Sequence, residues 1–336
     1  MRVGVVGCGY WGAKHVRVLT GLPEVSQVIA VDSRPDRIEP IRRMYHSART
    51  AHRLEDVIDH IDAAVIATPP RSHAPLAAEL LRAGKHVLIE KPMAASSAEA
   101  RELIALAEAR DLVLMAGHTF EYNAAVLALR DVIASGELGQ IYYIDAARLN
   151  LGLYQPDVNV IWDLAPHDVS IVNLLLDSVP AAVTAWGSRH AGSPYEDVAY
   201  LRLDYGETTA NVHVSWLDPC KVRRVTVVGS KRMAVYNDLL DDTRLQVYDK
   251  GVFSPDGEPD GGVPMSYRYG GISSPHIDFR EPLAVEDEHF VDCVRHGKTP
   301  DSDGHRGLGV VSVLEAAEQS MRAGRTVAIP RLVTAG

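Results

Sequence analysis

Hydrophobic residues in the first third of the chain fall into short, uninterrupted runs that alternate with helical patterns. The candidate strands lie at residues 2–6, 28–32, 63–68, 86–90 and 112–116. Uninterrupted apolar runs are typical of strands covered by helices on both faces, and strands that alternate with helices favour parallel pairing. The pattern therefore predicts an α/β domain with an open, doubly wound parallel sheet.

Beyond residue 123 the strand-like segments follow one another with polar turns and little helix between them. Candidate strands lie at residues 181–189, 198–205, 208–216, 223–229 and 244–248. Helical patterns lie at residues 124–135, 166–176, 283–294 and 305–323, and the Gly-, Pro- and Ser-containing residues 253–282 are predicted to form a long loop. This half is predicted to be α+β, with an open, largely antiparallel sheet and helices on one face.

Composition and length support two folded domains. The chain has 336 residues, of which 46% are hydrophobic and 23% charged, which is ordinary for a globular protein. Domains usually have roughly 100–200 residues, so the length indicates two. The change of pattern near residues 117–123 divides them into residues 1–120 and 121–336. The 34 basic and 44 acidic residues give a net charge of −10 without a basic cluster. Nucleic acid and anionic membranes are therefore not expected as partners.

The three cysteines, Cys8, Cys220 and Cys293, are too few and too scattered for a disulfide framework or a CxxC metal site. No other residue spacing is typical of a metal site. The N-terminal apolar run is too short for a signal peptide, and no stretch approaches the ~18 apolar residues of a membrane span. These features indicate a protein of the reducing cytoplasm.

A glycine motif, Gly7-Cys8-Gly9-Tyr10-Trp11-Gly12, closes the first predicted strand and opens a helix. In such a GxGxxG loop the glycines permit a tight turn, close approach to a pyrophosphate and close helix packing, while the helix N-terminus offers amides to the phosphates. Asp32 ends the second predicted strand 20 residues after Gly12, where a carboxylate can bind the adenosine ribose. Together they predict a Rossmann domain that binds a dinucleotide.

Residues near Asp32 bear on the choice of cofactor. A carboxylate at the ribose repels a 2′-phosphate, so Asp32 favours NAD over NADP. Arg34 and Arg37 complicate this inference, because either guanidinium could pair with a phosphate or stack on adenine. Thr68-Pro69-Pro70 follows the next predicted strand and is either a cofactor contact or a simple loop. We expect NAD, with NADP less favoured.

Two further motifs carry candidate chemistry. Glu90-Lys91-Pro92 ends a predicted strand at the sheet edge where open α/β sheets bind ligands. Asp163 and His167 lie four residues apart in an apolar-rich stretch. If one helix includes both, they share a face. If Pro166 begins the helix, Asp163 lies in the preceding turn.

In this combination of motifs the chain resembles the Gfo/Idh/MocA oxidoreductases, which include glucose–fructose oxidoreductase and inositol dehydrogenase. The resemblance covers essentially the whole chain and rests on the glycine loop, Asp32, the Thr68 turn with His73, the Glu-Lys-Pro triplet and the Asp163/His167 pair. It implies an NAD-dependent dehydrogenase of sugar derivatives or cyclitols.

The resemblance also implies that Lys91, Asp163 and His167 form the catalytic site. Many family members have glycines before and within the Asp/His pair, whereas this chain has Asn159-Val160-Ile161-Trp162 before it and Leu164-Ala165-Pro166 within it. In this respect the chain looks like the sugar-nucleotide and amino-sugar dehydrogenase branch.

The chemistry of these three side chains suits alcohol oxidation. An alcohol that loses hydride must also lose a proton, and His167 is suited to accept it because histidine titrates near neutral pH. Lys91 would donate a hydrogen bond to the reacting oxygen, and Asp163 would orient the imidazole or bind a neighbouring hydroxyl. A neutral lysine could be the base instead, and the sequence leaves both assignments open.

The expected ligand contacts form two sets. The cofactor set is Gly7, Gly9, Tyr10, Trp11, Gly12, Asp32, Ser33, Arg34, Arg37, Thr68, Pro69, Pro70, His73, Glu90 and Lys91. The substrate set, expected to line a cleft, is Lys91, His118, Tyr122, Arg148, Asn150, Asn159, Trp162, Asp163 and His167. For the substrate residues outside the catalytic trio, a structural role is an equal alternative.

Two other functions compete with a dehydrogenase. One is a glycoside hydrolase in which NAD transiently oxidises the sugar, a mode known in some relatives, with no net NADH. The other is a dinucleotide-binding sensor without turnover, which would need only the glycine loop and Asp32 and no catalytic trio. The family resemblance further implies that the open sheet face packs against another subunit, in a homodimer or homotetramer.

Overall fold

The computed structural model describes residues 1–155, 157–253 and 265–330, and these fall into two units. The first unit contains Met1–Tyr122 and Arg280–Ser312. The second contains the described residues of Asn123–Phe279 and Val313–Leu332. The sequence-based division had instead assigned all residues after 120 to one domain, so the difference lies mainly in Arg280–Ser312.

A parallel sheet of six strands organises the first unit. Its elements up to residue 117 are β1 (Arg2–Val6), α1 (Tyr10–Leu19), β2 (Gln27–Val31), α2 (Pro35–Met44), β3 (Arg49–Ala51), β4 (Ala63–Ile66), α3 (His73–Arg82), β5 (His86–Glu90), α4 (Ser97–Glu108) and β6 (Leu114–Gly117). The strand order is β3-β2-β1-β4-β5-β6, and all neighbours are parallel. The predicted doubly wound sheet is thus confirmed. Because the winding reverses between β1 and β4, a crevice lies at the carboxyl ends of these strands.

The remaining elements build the second unit and complete the first. In chain order they are α5 (Ala124–Ala134), β7 (Ile141–Leu151), α6 (Val160–Leu176), β8 (Ala182–Ser188), β9 (Val198–Asp204), β10 (Thr209–Ser215), β11 (Leu217–Gly229), β12 (Met233–Asn237), β13 (Leu245–Phe253), β14 (Ser266–Ser273), α7 (Pro282–His296), α8 (Gly304–Ala323) and β15 (Val327–Ala328). The second sheet has the order β14-β13-β12-β11-β7-β10-β9-β8-β15, and its strands are antiparallel except for the parallel pair β7 and β10. No helix among the described residues is long and apolar enough to span a bilayer.

Helix α6 packs against the second sheet, and burial alternates along the strands beneath it. Leu201 and Val212 are buried, whereas Trp186 and Tyr200 on the opposite face are exposed. The rings of Trp186, Tyr200 and His213 lie directly opposite one another on β8, β9 and β10 and stack in a row. This confirms the predicted sheet with helices on one face. We call the other side, marked by these three rings, the outer face.

Several predicted elements were wrong in extent, among them the strands that became β11 and β13, which are longer than predicted, the helix α6 and the loop over residues 253–282. Helix α6 begins at Val160, six residues before Pro166, because the Asn159 side chain accepts hydrogen bonds from the Ile161 and Trp162 amides and so caps the helix. The predicted loop over residues 253–282 contains β14, a mostly exposed strand with two glycines and few apolar anchors. Residues 254–264 of that loop lie outside the described residues.

Candidate active site

The glycine loop has the shape that close approach of a phosphate requires. Gly7 has a φ of +91°, which side-chain-bearing residues rarely adopt. A Cβ at Gly12 would overlap the backbone carbonyl of Gly7, so this position requires glycine. In the described part of the chain no side chain caps α1 at Gly9, so its first amides remain for an anion. The loop therefore fits a pyrophosphate.

Asp32 follows β2 and is fixed by two backbone amides. Its Oδ2 accepts a hydrogen bond from the Cys8 amide at 2.8 Å, and its Oδ1 accepts one from the Arg34 amide at 2.9 Å. Each carboxylate oxygen has a further lone pair that can accept from a ribose hydroxyl. The Arg34 guanidinium is itself paired with Asp36 at the surface. The Asp32 carboxylate is therefore held in one orientation beside the glycine loop.

A cavity of about 650 Å³ lies beside these residues in the first unit. Eight members of the predicted cofactor set line it: Gly7, Gly9, Asp32, Ser33, Arg34, Arg37, Thr68 and Pro69. His52, Leu54 and Leu76 also line it and were not predicted, because they belong to no motif. The volume is ordinary for a small-molecule site, and the lining fits part of a dinucleotide.

The remaining predicted cofactor residues surround this region. Tyr10 and Trp11 form the first turn of α1, where the Lys14 ammonium lies 4.2 and 4.6 Å from their ring centroids. Pro70 begins a short turn before α3. The buried His73 ring places Nε2 2.7 Å from the Thr68 carbonyl and Nδ1 2.9 Å from the Pro92 carbonyl. His73 thus links the turns that follow β4 and β5.

Glu90, at the end of β5, belongs to a buried hydrogen-bonded network. Its Oε2 accepts a hydrogen bond from the Lys91 amide at 3.1 Å, and its Oε1 lies 3.3 Å from His15 Nε2. The other ring nitrogen, His15 Nδ1, lies 2.8 Å from Asp287 Oδ1. We call His15, Glu90 and Asp287 the buried triad. The triad joins α1, β5 and α7, and its Glu90 is hydrogen-bonded to the backbone amide of Lys91.

Opposing effects set the charges in this network. Burial lowers the pKa of His15, but the carboxylates of Asp287 and Glu90 outweigh it and hold that pKa well above its usual value. Burial likewise opposes ionisation of Glu90, yet the His15 imidazolium keeps the Glu90 pKa below its usual value. Next to the triad, burial and the nearby Glu90 raise the pKa of Glu286 well above its usual value. Within the triad these effects favour an ion pair between His15 and its carboxylate partners, and at Glu286 they favour the neutral form.

His118 and Tyr122 follow β6, whose Gly117 pairs with Glu90. His118 is buried, and burial lowers its pKa to about 4, so the ring is neutral at physiological pH. Neither ring nitrogen has a hydrogen-bond partner among the described residues. The Tyr122 hydroxyl lies 2.9 Å from Ser302 Oγ within the buried core. The structure therefore gives the Tyr122 hydroxyl a partner within the first unit.

Asp163 and His167 both lie inside α6, so the pair shares a helix face. The Trp216 indole Nε1 donates a hydrogen bond to Asp163 Oδ2 at 2.9 Å. Both side chains are only partly buried, although His167 Nδ1 is itself buried. The helix that Asn159 caps, with Pro166 in its interior, thus presents a carboxylate and an imidazole side by side.

Four other predicted substrate residues lie in the second unit. Arg148 forms a buried, two-point ion pair with Asp168, with N–O distances of 2.8 and 3.1 Å. Asn159 is the cap of α6, and the Trp162 indole donates to Glu318 at 3.3 Å. Asn150 is half-buried near the end of β7. The geometry thus gives Arg148, Asn159 and Trp162 partners within the protein.

Sequence reasoning missed His15, Asp287 and Trp216. His15 lies on the buried side of α1, and Asp287 lies on the buried side of α7. A titratable residue among apolar positions is a usable signal, but nothing in the sequence pairs residues 272 positions apart. Trp216 follows an alternating strand pattern. That pattern predicts that its side chain is buried, but it does not identify the residue to which the indole donates.

The sheet order, glycine loop and fixed Asp32 define a dinucleotide-binding Rossmann protein. Residues 1–118 match the model of the Gfo/Idh/MocA oxidoreductase family with its NAD-binding Rossmann fold, and residues 126–235 match the C-terminal domain of that family. The chain therefore belongs to the Gfo/Idh/MocA family, and the predicted family and cofactor-binding fold are confirmed. It is an NAD(P)-dependent oxidoreductase of the sugar or cyclitol dehydrogenase type, which acts on CH–OH groups.

Individual relatives cover almost the whole chain. UDP-N-acetylglucosamine 3-dehydrogenase of Acidithiobacillus ferrooxidans is 29% identical over 93% of this chain and 94% of its own length. Inositol 2-dehydrogenase of Rhizobium meliloti is 24% identical over 98% of this chain and 99% of its own length. The crystal structure of GenD2 from gentamicin A biosynthesis, in complex with NAD, superposes with a TM-score of 0.82 at 27% identity, covering 98% of this chain and 97% of that one.

Proposed function

We propose that this protein is an NAD-dependent dehydrogenase that transfers hydride between nicotinamide and one ring secondary hydroxyl, or its ketone. The substrate would be a sugar nucleotide, an amino sugar or a cyclitol, as in the relatives named above. The observation that carries this proposal is the Asp163/His167 pair, which lies on one face of a continuous, capped helix. Such a pair supplies the proton transfer that alcohol oxidation requires.

Each catalytic side chain has a proposed role. His167 Nε2 accepts the hydroxyl proton, since Nδ1 is buried. Lys91 donates a hydrogen bond to the reacting oxygen and stabilises its developing negative charge. Asp163 orients the imidazole or binds a neighbouring hydroxyl. In the reverse direction His167 returns the proton to the reduced carbonyl.

Binding of the cofactor would use the first unit. The glycine loop would hold the pyrophosphate, and Asp32 would hold the adenosine ribose. When bound, the oxidised nicotinamide would accept the hydride. Because the Asp32 carboxylate would repel a 2′-phosphate, we propose NAD as the preferred cofactor.

The outer face supports a proposed homodimer or homotetramer. Trp186 is 57% exposed and Tyr200 is 36% exposed, and with His213 they form one stacked row. Large exposed aromatic clusters are typical of interfaces. A second copy of the chain would bury them.

A substrate scan tests the proposed function. Sugar nucleotides, amino sugars and inositols are incubated with NAD or NADP, and the absorbance of the reduced nicotinamide is followed. We expect reduction of NAD with at least one of these compounds. Release of an aglycone without net NADH would favour the hydrolase, and the absence of turnover with every compound would contradict the proposal.

Two variants test the residue roles with the compound that this scan identifies. His167→Ala and Lys91→Ala should each lower kcat by about 10²–10⁴-fold, the range of a lost acid–base or charge-stabilising group. His296→Gln, at the exposed end of α7, is the matched control and should keep wild-type turnover. Near-wild-type kcat in both test variants would rule out the proposed chemistry.

A further inference from the structure

Trp216 connects the candidate catalytic helix to the strands beneath it. Its side chain is buried, with 1% of the residue exposed, and it lies between β10 and β11. Its indole Nε1 donates to Asp163 Oδ2 at 2.9 Å. An indole has this single polar hydrogen and no acceptor, so its hydrogen-bonding capacity is fully used on Asp163.

A second set of contacts holds the indole in place. The Tyr154 ring lies 5.3 Å from the Trp216 ring, centroid to centroid, at an angle of 50°. The Tyr154 hydroxyl donates to Asp197 Oδ2 at 3.2 Å, and the Trp216 amide donates to the Asp197 carbonyl at 2.9 Å. Asp197 is therefore tied to the Trp216 backbone directly and to its ring through Tyr154.

His190 fixes Asp197 from the other side. The His190 amide donates to Asp197 Oδ2, and His190 Nδ1 lies 2.8 Å from Asp197 Oδ1. Burial opposes ionisation of Asp197, but the hydrogen bonds from His190 and Tyr154 outweigh it and keep the Asp197 pKa below its usual value. The contacts run from the surface residue His190 inward to Asp163.

We infer that Trp216 is a positioning residue that fixes the Asp163 carboxylate for catalysis, with Tyr154 and Asp197 bracing the indole. This inference rests on the proposed role of Asp163. The Trp216 hydrogen bond restrains Oδ2 and with it the orientation of the whole carboxylate. Loss of the indole hydrogen bond would remove this restraint on the carboxylate, and a displacement of about 1 Å can cost up to ~10²-fold in rate.

The test is a double-mutant cycle between Trp216→Phe and Asp163→Asn, assayed with NAD and either UDP-N-acetylglucosamine or myo-inositol, whichever supports turnover. Trp216→Phe keeps an aromatic ring but removes the donor. We expect it to lower kcat about 10-fold with little change in KM, and to lower it less than about 2-fold in the Asp163→Asn background. Tyr205→Phe removes another partly buried hydroxyl hydrogen bond of the same unit, to Asn173, and should leave kcat unchanged.

A spectroscopic measurement tests the same contact without turnover. The chain has four tryptophans, so the indole N–H signals of ¹⁵N-labelled protein are few, and Trp216→Phe identifies the Trp216 signal by its loss. We expect that signal to shift in Asp163→Asn and in Tyr154→Phe. If Trp216→Phe does not fold, Tyr154→Phe takes its place in the kinetic cycle.

The outcomes separate the inference from the proposed function. An equal loss of kcat from Trp216→Phe in both backgrounds, or no loss in either, would overturn the positioning role while leaving the dehydrogenase intact. An Asp163→Asn variant with wild-type kcat would remove the proposed role of Asp163 and the inference with it. An unshifted indole signal in Asp163→Asn would contradict the hydrogen bond itself.

Discussion

Asp32 is the side chain that we propose selects the cofactor. Its carboxylate is held by the Cys8 and Arg34 amides, so its orientation is restrained before any ribose binds. Arg34 and Arg37 line the same cavity and could bind a phosphate once the carboxylate is removed. We therefore propose that the negative charge of Asp32 sets the balance between NAD and NADP.

Asp32→Ser should shift the preference from NAD towards NADP. The ratio of kcat/KM for NAD to that for NADP should fall by roughly 10- to 100-fold, because a charged hydrogen-bond acceptor for the ribose is lost and repulsion of a 2′-phosphate disappears. Steady-state kinetics with both cofactors measure the ratio. Asp59→Ser, at an exposed position outside the cavity, should leave it unchanged. An unaltered ratio in Asp32→Ser would show that another group selects the cofactor.

Local patterns predicted the candidate cofactor residues, whereas they gave no indication of the buried triad. The glycine loop and Asp32 belong to one strand–helix–strand unit, so their motif can be recognised within a short stretch of sequence. His15 and Asp287 meet only because α7 returns to the first unit after the whole second sheet has been formed. The hydrophobic pattern of residues 283–294 predicted a helix there, but it did not indicate that this helix packs in the first unit.

At the level of elements, the N-terminal cap of α6 determines whether Asp163 and His167 lie in the same helix. A proline in a helix interior removes one backbone hydrogen bond, which is why the pattern favoured a helix beginning at Pro166. The Asn159 cap and the buried apolar side chains of α6 outweigh that loss. As a result Asp163 lies within the helix rather than in a turn before it. The sequence had left that alternative open.

The buried triad links three elements, and its disruption should destabilise the first unit. His15→Gln would leave Glu90 and Asp287 as uncompensated buried carboxyl groups. Breaking a buried ion pair in this way typically costs about 3–5 kcal/mol. Urea unfolding at neutral pH measures the loss. His296→Gln, which removes a surface pair on α7, should change stability little.

The same variant has an expected pH dependence. The folded-state pKa of His15 is raised, so its contribution is full below the pKa of the unfolded chain and is lost as the pH rises through the folded value. The stability difference between wild type and His15→Gln should therefore shrink from neutral to alkaline pH. A difference that stays constant over this range would show that His15 contributes packing rather than charge.

At the scale of the whole molecule, the second sheet leaves one face without cover in the described chain. Helix α6 packs on the inner face, and the outer face carries a row of stacked rings across β8, β9 and β10. Adjacent aromatic side chains on paired strands bury a large apolar area when another surface covers them. The overall charge of −10 is spread along the chain and gives no reason to expect a cationic partner there. A second copy of this chain, related by two-fold symmetry, would place the same row against itself.

Trp186→Lys should therefore weaken self-association. The lysine replaces the most exposed ring of the row with a charge, and in a two-fold interface that charge would lie near its own symmetry mate, which is unfavourable. Light scattering coupled to size-exclusion chromatography should give a dimeric or tetrameric mass for wild type and a smaller mass for the variant. Leu239→Lys introduces the same charge at an exposed position in the turn between β12 and β13 and should keep the wild-type mass. A monomeric wild type, or an unchanged mass in Trp186→Lys, would mean that the outer face is not the subunit interface.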